Sequence, residues 1–362
     1  MNGPGKEGSE AEGSRRTLVA APRPFARQLF GVVLLGALVF AALSAWSDVD
    51  ALGDTLGRYA WEWFGVAVAL ATGNYALRWV RWELYLRRLA VRLPPGESAG
   101  IFLAGFVASI TPGKLGEVYK SFLLHQRHGV SVAWTAPIVL AERVTDLLAL
   151  VALTAFGALA LRGGWIVALS GGVLVGLLLV ASSVRSVGDG LLGLAARIPG
   201  VRGLEPRLRE AQRALLSLHR PGTLLAASAL SLVAWGLEVG SLAAVLAGFK
   251  PSALLPPAAT SFAYAAPTIA GAAALLPGGL GVTEASMAAV LVSLSPAAGS
   301  AVASAATILV RLATLWWATV VGALALLALR LRPPGTHHGR RGARGSGGES
   351  SAGGVGGAGP ST

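Results

Sequence analysis

The sequence predicts an all-α, polytopic integral membrane protein, and three observations carry that expectation. Hydrophobic residues make up 54% of its 362 residues and charged residues only 13%, where a soluble domain carries about 25% charged residues. The apolar residues gather in blocks at 28–46, 60–80, 147–161, 164–184, 223–248 and 302–329, most of them near the ~20 residues a helix needs to cross ~30 Å of hydrocarbon. The basic residues behind the net charge of +12 lie mainly in tails and connections, which suits membrane topology better than a nucleic-acid-binding face.

Residues 1–24 and 333–362 are rich in Gly, Ser, Pro and Arg, too polar to form a core, and are expected to be disordered cytoplasmic tails flanking a membrane domain at 25–332. The Ser14-Arg15-Arg16 start hints at a twin-arginine export signal, but no small-x-small cleavage site closes the apolar run, and a signal anchor is the preferred reading. Arg15, Arg16, Arg23 and Arg27 precede the first span, Arg78, Arg81, Arg87, Arg88 and Arg92 follow the second, and the connection at 185–220 is also basic. These mark the cytoplasmic side, whereas Asp48, Asp50 and Asp54 mark the loop at 47–58 as external. Arg330 and Arg332 return the C-terminus to the cytoplasm of a cell-membrane protein. Within the connection, 190–219 reads either as an amphipathic helix on an anionic leaflet or as a solvated linker.

Two polar interruptions break the apolar pattern. IFLAGFVASI, ending before Thr111, is too short to span, and Pro112-Gly113 follows it. It is expected to dip in and return, because broken backbone at membrane depth is tolerated only inside protein or beside a wet cavity. Pro277-Gly278-x-Leu280-Gly281 repeats Pro112-Gly113-x-Leu115-Gly116 at a distance of 165 residues. Glu117 then precedes Arg143 by 26 positions, and Glu284 precedes Arg311 by 27. That order points to internal duplication, with halves at about 60–184 and 221–330. The charges orient the two hairpins in opposite senses, giving six crossings and an inverted repeat.

Glu142, Arg143 and Asp146 share one side of their helix by spacing, and with Glu117, Glu284 and Arg311 they are the candidate binding residues. Charge at the bilayer centre is expensive, so these groups should face the interior. Two readings stand: the arginines grip a lipid phosphate, or they pair with Asp146, Glu142 or Glu284 to fix packing. Gly113, Gly116, Gly278 and Gly281 serve tight turns, or aim backbone N–H groups at an anion. Lys114 and Lys120 are expected at the interface, and Glu238, Trp316 and Trp317 as packing or interfacial residues.

TPGKLGEVYKSFLL, LAERVTDLLAL, LLPGGLGVTEASMAAVLV and LVRLATLWW, in this order, resemble the transmembrane family of lysylphosphatidylglycerol synthases, the flippase-like domain family. The resemblance covers roughly 25–332 and implies transport of lipid between leaflets without the soluble synthase domain. Anionic phospholipid or polyprenyl-linked lipids are the implied cargo, with no nucleic acid as partner. An intramembrane lipid-modifying enzyme and a lipid-binding scaffold are the alternatives. Against catalysis, His125, His128, His219, His337 and His338 all lie in tails or connections and cysteine is absent. No cofactor or metal is therefore expected.

Overall fold

A computed structural model describes residues 23–46, 48–110, 117–159, 166, 169–173, 176–177, 205–249 and 251–331. The expected tails apart from Arg23 and Pro24, which open a helix, the PGKLG sequence at 112–116 and most of the expected span at 164–184 lie outside the described residues. Every regular element among the described residues is helical. Helix α1 (Arg23–Trp46) is followed by α2 (Val49–Gly57), whose first turn is capped by the Asp48 carboxylate accepting the Asp50 N–H at 3.0 Å. The long helices α3 (Trp61–Arg88) and α9 (Pro221–Ala247) pack face to face. Small residues at the seam, Ala67, Ala71, Ala227 and Ala234, are fully or almost fully buried. The close approach lets Asn74 donate to the Ala234 carbonyl at 2.7 Å and Ser241 to that of Ala67 at 2.6 Å.

Two helical hairpins flank this pair. The first enters as α4 (Pro95–Ala104) and a 3₁₀ turn (Gly105–Ile110) and leaves as α5 (Tyr119–His128). Gly129, in the left-handed region at φ 68°, ends α5 by donating to the His125 carbonyl at 2.9 Å. The second is α10 (Pro257–Ala273), a turn at Pro277–Gly279, and α11 (Val282–Leu294). Pro95, Pro137, Pro221 and Pro257 each open a helix, where the missing N–H costs nothing.

The helix expected to carry Glu142, Arg143 and Asp146 into the apolar block at 147–161 is broken near its start: α6 (Val132–Thr135) stops at Ala136, and α7 (Pro137–Ala158) starts at Pro137. After α8 (Glu205–Leu218) come α9 to α11, then α12 (Gly299–Arg311), a π turn (Leu312–Trp316) and α13 (Trp317–Leu331). Helix α7 packs on α10 of the second hairpin, and α13 packs on α4 and the 3₁₀ turn of the first. At both seams backbone meets backbone. A Cβ on Gly157 would sit 2.7 Å from the Phe262 nitrogen, and one on Gly322 2.7 Å from the Val107 nitrogen.

Among the described residues, three helices are long and apolar enough to cross a membrane, or up to four if the bent α1–α2 pair is one span. Helices α3 and α7 have the length, but Arg78, Arg81 and Glu83 in one and Glu142, Arg143 and Asp146 in the other dilute their apolar character. Two expectations are corrected by burial. Arg78 and Arg81 do not follow a span but lie within α3, which runs on to Arg88; Arg81 is fully buried. Helix α8, the described part of the 190–219 stretch, packs on α6 and α7 with Ala214 and Leu218 buried, so the apolar face of this part meets protein rather than a leaflet, while residues 190–204 lie outside the described residues.

Candidate functional site

The chemistry begins with Asp146, which α7 aims at α3 and α9. One carboxylate oxygen accepts from Arg81 at 2.5 Å and from the Trp235 indole at 3.1 Å. The other lies 3.2 Å from Arg143 and 3.6 Å from Arg78. Arg81 also donates to Thr145 at 3.2 Å and to Ser231. An isolated carboxylate would not tolerate this depth, and the ring of guanidinium groups compensates its charge.

Arg143 reaches out of α7 to Glu117, donating at 2.9 Å. Its counterpart Arg311, at the end of α12, donates through Nε to Glu284 at 2.5 Å and through a terminal nitrogen to the Gly278 carbonyl at 2.7 Å. That carbonyl is presented by a turn in which Gly278, Gly279 and Gly281 have φ of 60°, 70° and 87°, a conformation glycine adopts without steric cost. The second oxygen of Glu284 accepts the Gly281 N–H at 2.7 Å. The start of α11 is therefore closed by its own carboxylate, which corrects the reading of the Gly281 N–H as an anion donor.

These groups converge on one cavity of about 350 Å³. Its polar lining includes Arg78, Glu117, Arg143, Asp146, Glu238 and Arg311, and its rings are Tyr75, Phe106, Trp235 and Tyr264. The Tyr264 hydroxyl donates to Glu238. Tyr75 donates at 2.7 Å to the Thr314 carbonyl, within the π turn that directly follows Arg311. The Nε–H groups of Arg78 and Arg143 are buried and have no hydrogen-bond partner among the described residues.

The structure separates some of the candidates that spacing grouped together. Glu142 does not line the cavity; it pairs at 2.7 Å with Lys120, whose ammonium lies 4.9 Å from the centre of the Trp82 ring and 5.2 Å from that of Phe102. Lys120 is only 3% exposed, so the interfacial position expected for it is corrected. Glu284 stands behind Arg311, and Gly278 contributes backbone to the wall. Gly113 and Gly116 lie outside the described residues. Sequence reasoning passed over Arg78, Tyr75, Tyr264 and Glu238 as site residues. For Glu238 a signal was present, since a carboxylate inside an apolar run is the same warning that Glu142 and Asp146 gave.

Apolar helices surrounding a buried, charged cavity define a membrane protein whose polar residues are gathered inward. The lysylphosphatidylglycerol synthase TM region matches residues 33–322, and the chain belongs to that family. A search among curated proteins found no similar sequence.

Proposed function

We propose that this chain moves a polar, phosphate-bearing lipid between the leaflets of the cell membrane, with the cavity as its headgroup site. One observation carries the reading: the arginines that follow the two PG–Glu series, Arg143 and Arg311, line the same cavity. The buried Nε–H groups of Arg143 and Arg78, which find no acceptor among the described residues, support it, because an unmet buried donor is costly and a phosphate fits the planar guanidinium fork. The lip of the cavity favours a lipid over a free phosphate. Leu275 is 66% exposed and Leu276 41%, and both border the cavity, so an acyl chain leaving it meets apolar surface.

The transport geometry belongs to the same proposal: six crossings, two re-entrant hairpins of opposite sense, and both termini cytoplasmic. Reciprocal packing supports an inverted repeat. The helix of Arg143 lies on the second hairpin, the helix continuing from Arg311 lies on the first, and the 3₁₀ turn of one hairpin contacts the Pro277–Gly279 turn of the other. Broken helices around a central site suit rocking of one half against the other. The cargo is an anionic phospholipid or a polyprenyl-linked lipid, carried without chemical change, and nucleic acid is not a partner. The test is leaflet exchange of fluorescent phospholipids in liposomes containing the purified chain, followed by chromatography of the lipid. Exchange with unaltered lipid is expected; altered lipid would make the chain an enzyme, and binding without exchange a scaffold.

A further inference from the structure

Among the described residues three guanidinium groups line the cavity, and they are committed to different degrees. Arg311 donates to Glu284 at 2.5 Å and to the Gly278 carbonyl at 2.7 Å, and Arg143 donates to Glu117 at 2.9 Å. Arg78 makes no hydrogen bond to a described residue, and its one ion pair among them, with Asp146, is 3.6 Å long, beyond hydrogen-bond length. The Arg78 side chain is only 12% exposed, so water meets little of the donor capacity that the described residues leave unmet. Resting on the headgroup reading above, we infer that Arg78, which lies outside the duplicated series, is a principal ligand of the lipid phosphate and holds it as a clamp together with Arg143.

The clamp is built by two helices around one atom. Oδ2 of Asp146 lies 3.6 Å from Arg78 on α3 and 3.2 Å from Arg143 on α7, so the two guanidinium groups converge on a single point. That oxygen receives no hydrogen bond among the described residues. Asp146 is anchored through its other oxygen, by Arg81 and the Trp235 indole, and it sets the spacing of the two arginines without using up their N–H groups. A phosphate brings several acceptor oxygens to such a pair, and each charge-assisted hydrogen bond it accepts is about twice as strong as a neutral one.

Phe106 orients the Arg78 fork. The centre of its ring is 5.7 Å from the Arg78 guanidinium carbon, and the ring is itself held edge-on by Tyr75 at 5.0 Å and Phe102 at 5.1 Å. An aromatic ring engages a guanidinium through its flat face, which leaves the N–H groups in the guanidinium plane for a bidentate acceptor. Phe106 belongs to the 3₁₀ turn of the first hairpin, and the Gly278 carbonyl held by Arg311 belongs to the turn of the second. A headgroup in the cavity therefore meets guanidinium groups braced by both hairpins. Engaging Arg78 breaks no hydrogen bond to a described residue, whereas a tighter hold by Arg311 competes with Glu284 and Gly278.

The experiment titrates the full-length chain, in a non-ionic detergent, with dioctanoyl phosphatidylglycerol, and follows binding by calorimetry and by the rise in melting temperature that the lipid produces. Arg78→Gln should weaken binding by roughly ten- to a hundredfold, and Arg78→Lys should recover only part of that loss. Without lipid, Arg78→Lys should melt close to the wild type, because the charge beside Asp146 is kept, while the lipid-induced rise should shrink. If neither variant folds, phenylglyoxal modification of the wild type, mapped by mass spectrometry, replaces them: Arg78 should be modified without lipid and protected by it. Wild-type affinity in both variants, or modification of Arg78 that bound lipid does not alter, would overturn the assignment and leave the headgroup site standing. Full affinity in Arg78→Lys alone would reduce Arg78 to a point charge and overturn the clamp. Failure of the wild type to bind phosphatidylglycerol, or equally tight binding of dioctanoylglycerol, which lacks the phosphate, would overturn the headgroup reading itself. Inorganic phosphate that competes at the lipid's own concentration would overturn the lipid as the source of the phosphate.

Discussion

Arg311 donates to Glu284 at 2.5 Å across 27 positions of sequence. Arg143 makes the same kind of bond to Glu117 at 2.9 Å across 26. In each case the carboxylate follows a Pro-Gly sequence and the arginine sits in a later helix. The two pairs are not equally anchored. Glu284 also caps the start of α11 through Gly281, and Arg311 also holds the Gly278 carbonyl, whereas Arg143 divides itself between Glu117 and Asp146 and its Nε–H finds no acceptor among the described residues.

Arg143→Lys and Arg311→Lys keep the charge and remove the planar fork. Loss of one charge-assisted hydrogen bond to phosphate corresponds to about 1.5–3 kcal/mol, so leaflet exchange per folded molecule should fall by roughly ten- to a hundredfold in each variant. Unchanged exchange in both, with only a lowered melting temperature, would make the arginines purely architectural.

Lys120→Met leaves Glu142 as an uncompensated buried charge and should destabilise the protein by about 3–5 kcal/mol. The double variant Lys120→Met, Glu142→Gln removes both charges and should recover most of that loss. Thermal unfolding in detergent of the two singles and the double measures the coupling, and additive losses would refute a buried pair.

Gly322→Ala pushes a methyl group into the Val107 backbone and should cost about 1–3 kcal/mol. Gly65→Ala, in a helix with nothing near the new atom, should instead gain about 0.5–1 kcal/mol from helix propensity. Opposite signs in thermal unfolding distinguish a packing contact from a general intolerance of substitution.

Glu97, in the first turn of α4 outside the spans, accepts from Arg127 at 2.8 Å and lies 3.2 Å from His128. Burial raises its pKa, but the hydrogen bond from Arg127 and the charges of His128 and Arg127 outweigh burial and hold it below the ordinary 4.5. A depressed carboxylate contributes stability that is fully present above its unfolded value and lost as pH falls through the folded one. The stability difference between wild type and Glu97→Gln should therefore be fully present at about pH 5 and shrink as pH falls below about 4.5. A difference that grows as pH falls below about 4.5 would contradict the geometry.

Single cysteines in this cysteine-free chain test the orientation. Asp50→Cys should react with an impermeant maleimide from outside intact cells, and Glu205→Cys only after the membrane is opened. Labelling of position 205 from outside would remove the basis of the inverted repeat.

The helical class was legible from composition, because in hydrocarbon a backbone must satisfy its own hydrogen bonds and long apolar runs can do so only as helices. The break at Ala136 was missed, although Pro137 marks it. The reach of α3 to Arg88 was not legible, because Arg78 and Arg81 resemble the basic end of a span until Asp146, 65 positions away from Arg81, is seen to receive them.

By itself the sequence determined an all-helical membrane protein, the family, and the polar residues that apolar helices must turn inward, since hydropathy and local spacing are properties of single segments. Which of those residues meet was decided only by tertiary structure. Glu142 and Arg143 are neighbours in sequence, yet the first turns to Lys120 and the second to Glu117 and the cavity. Helical periodicity states the direction in which a side chain leaves its own helix; the partner it finds depends on how helices from distant parts of the chain pack around it.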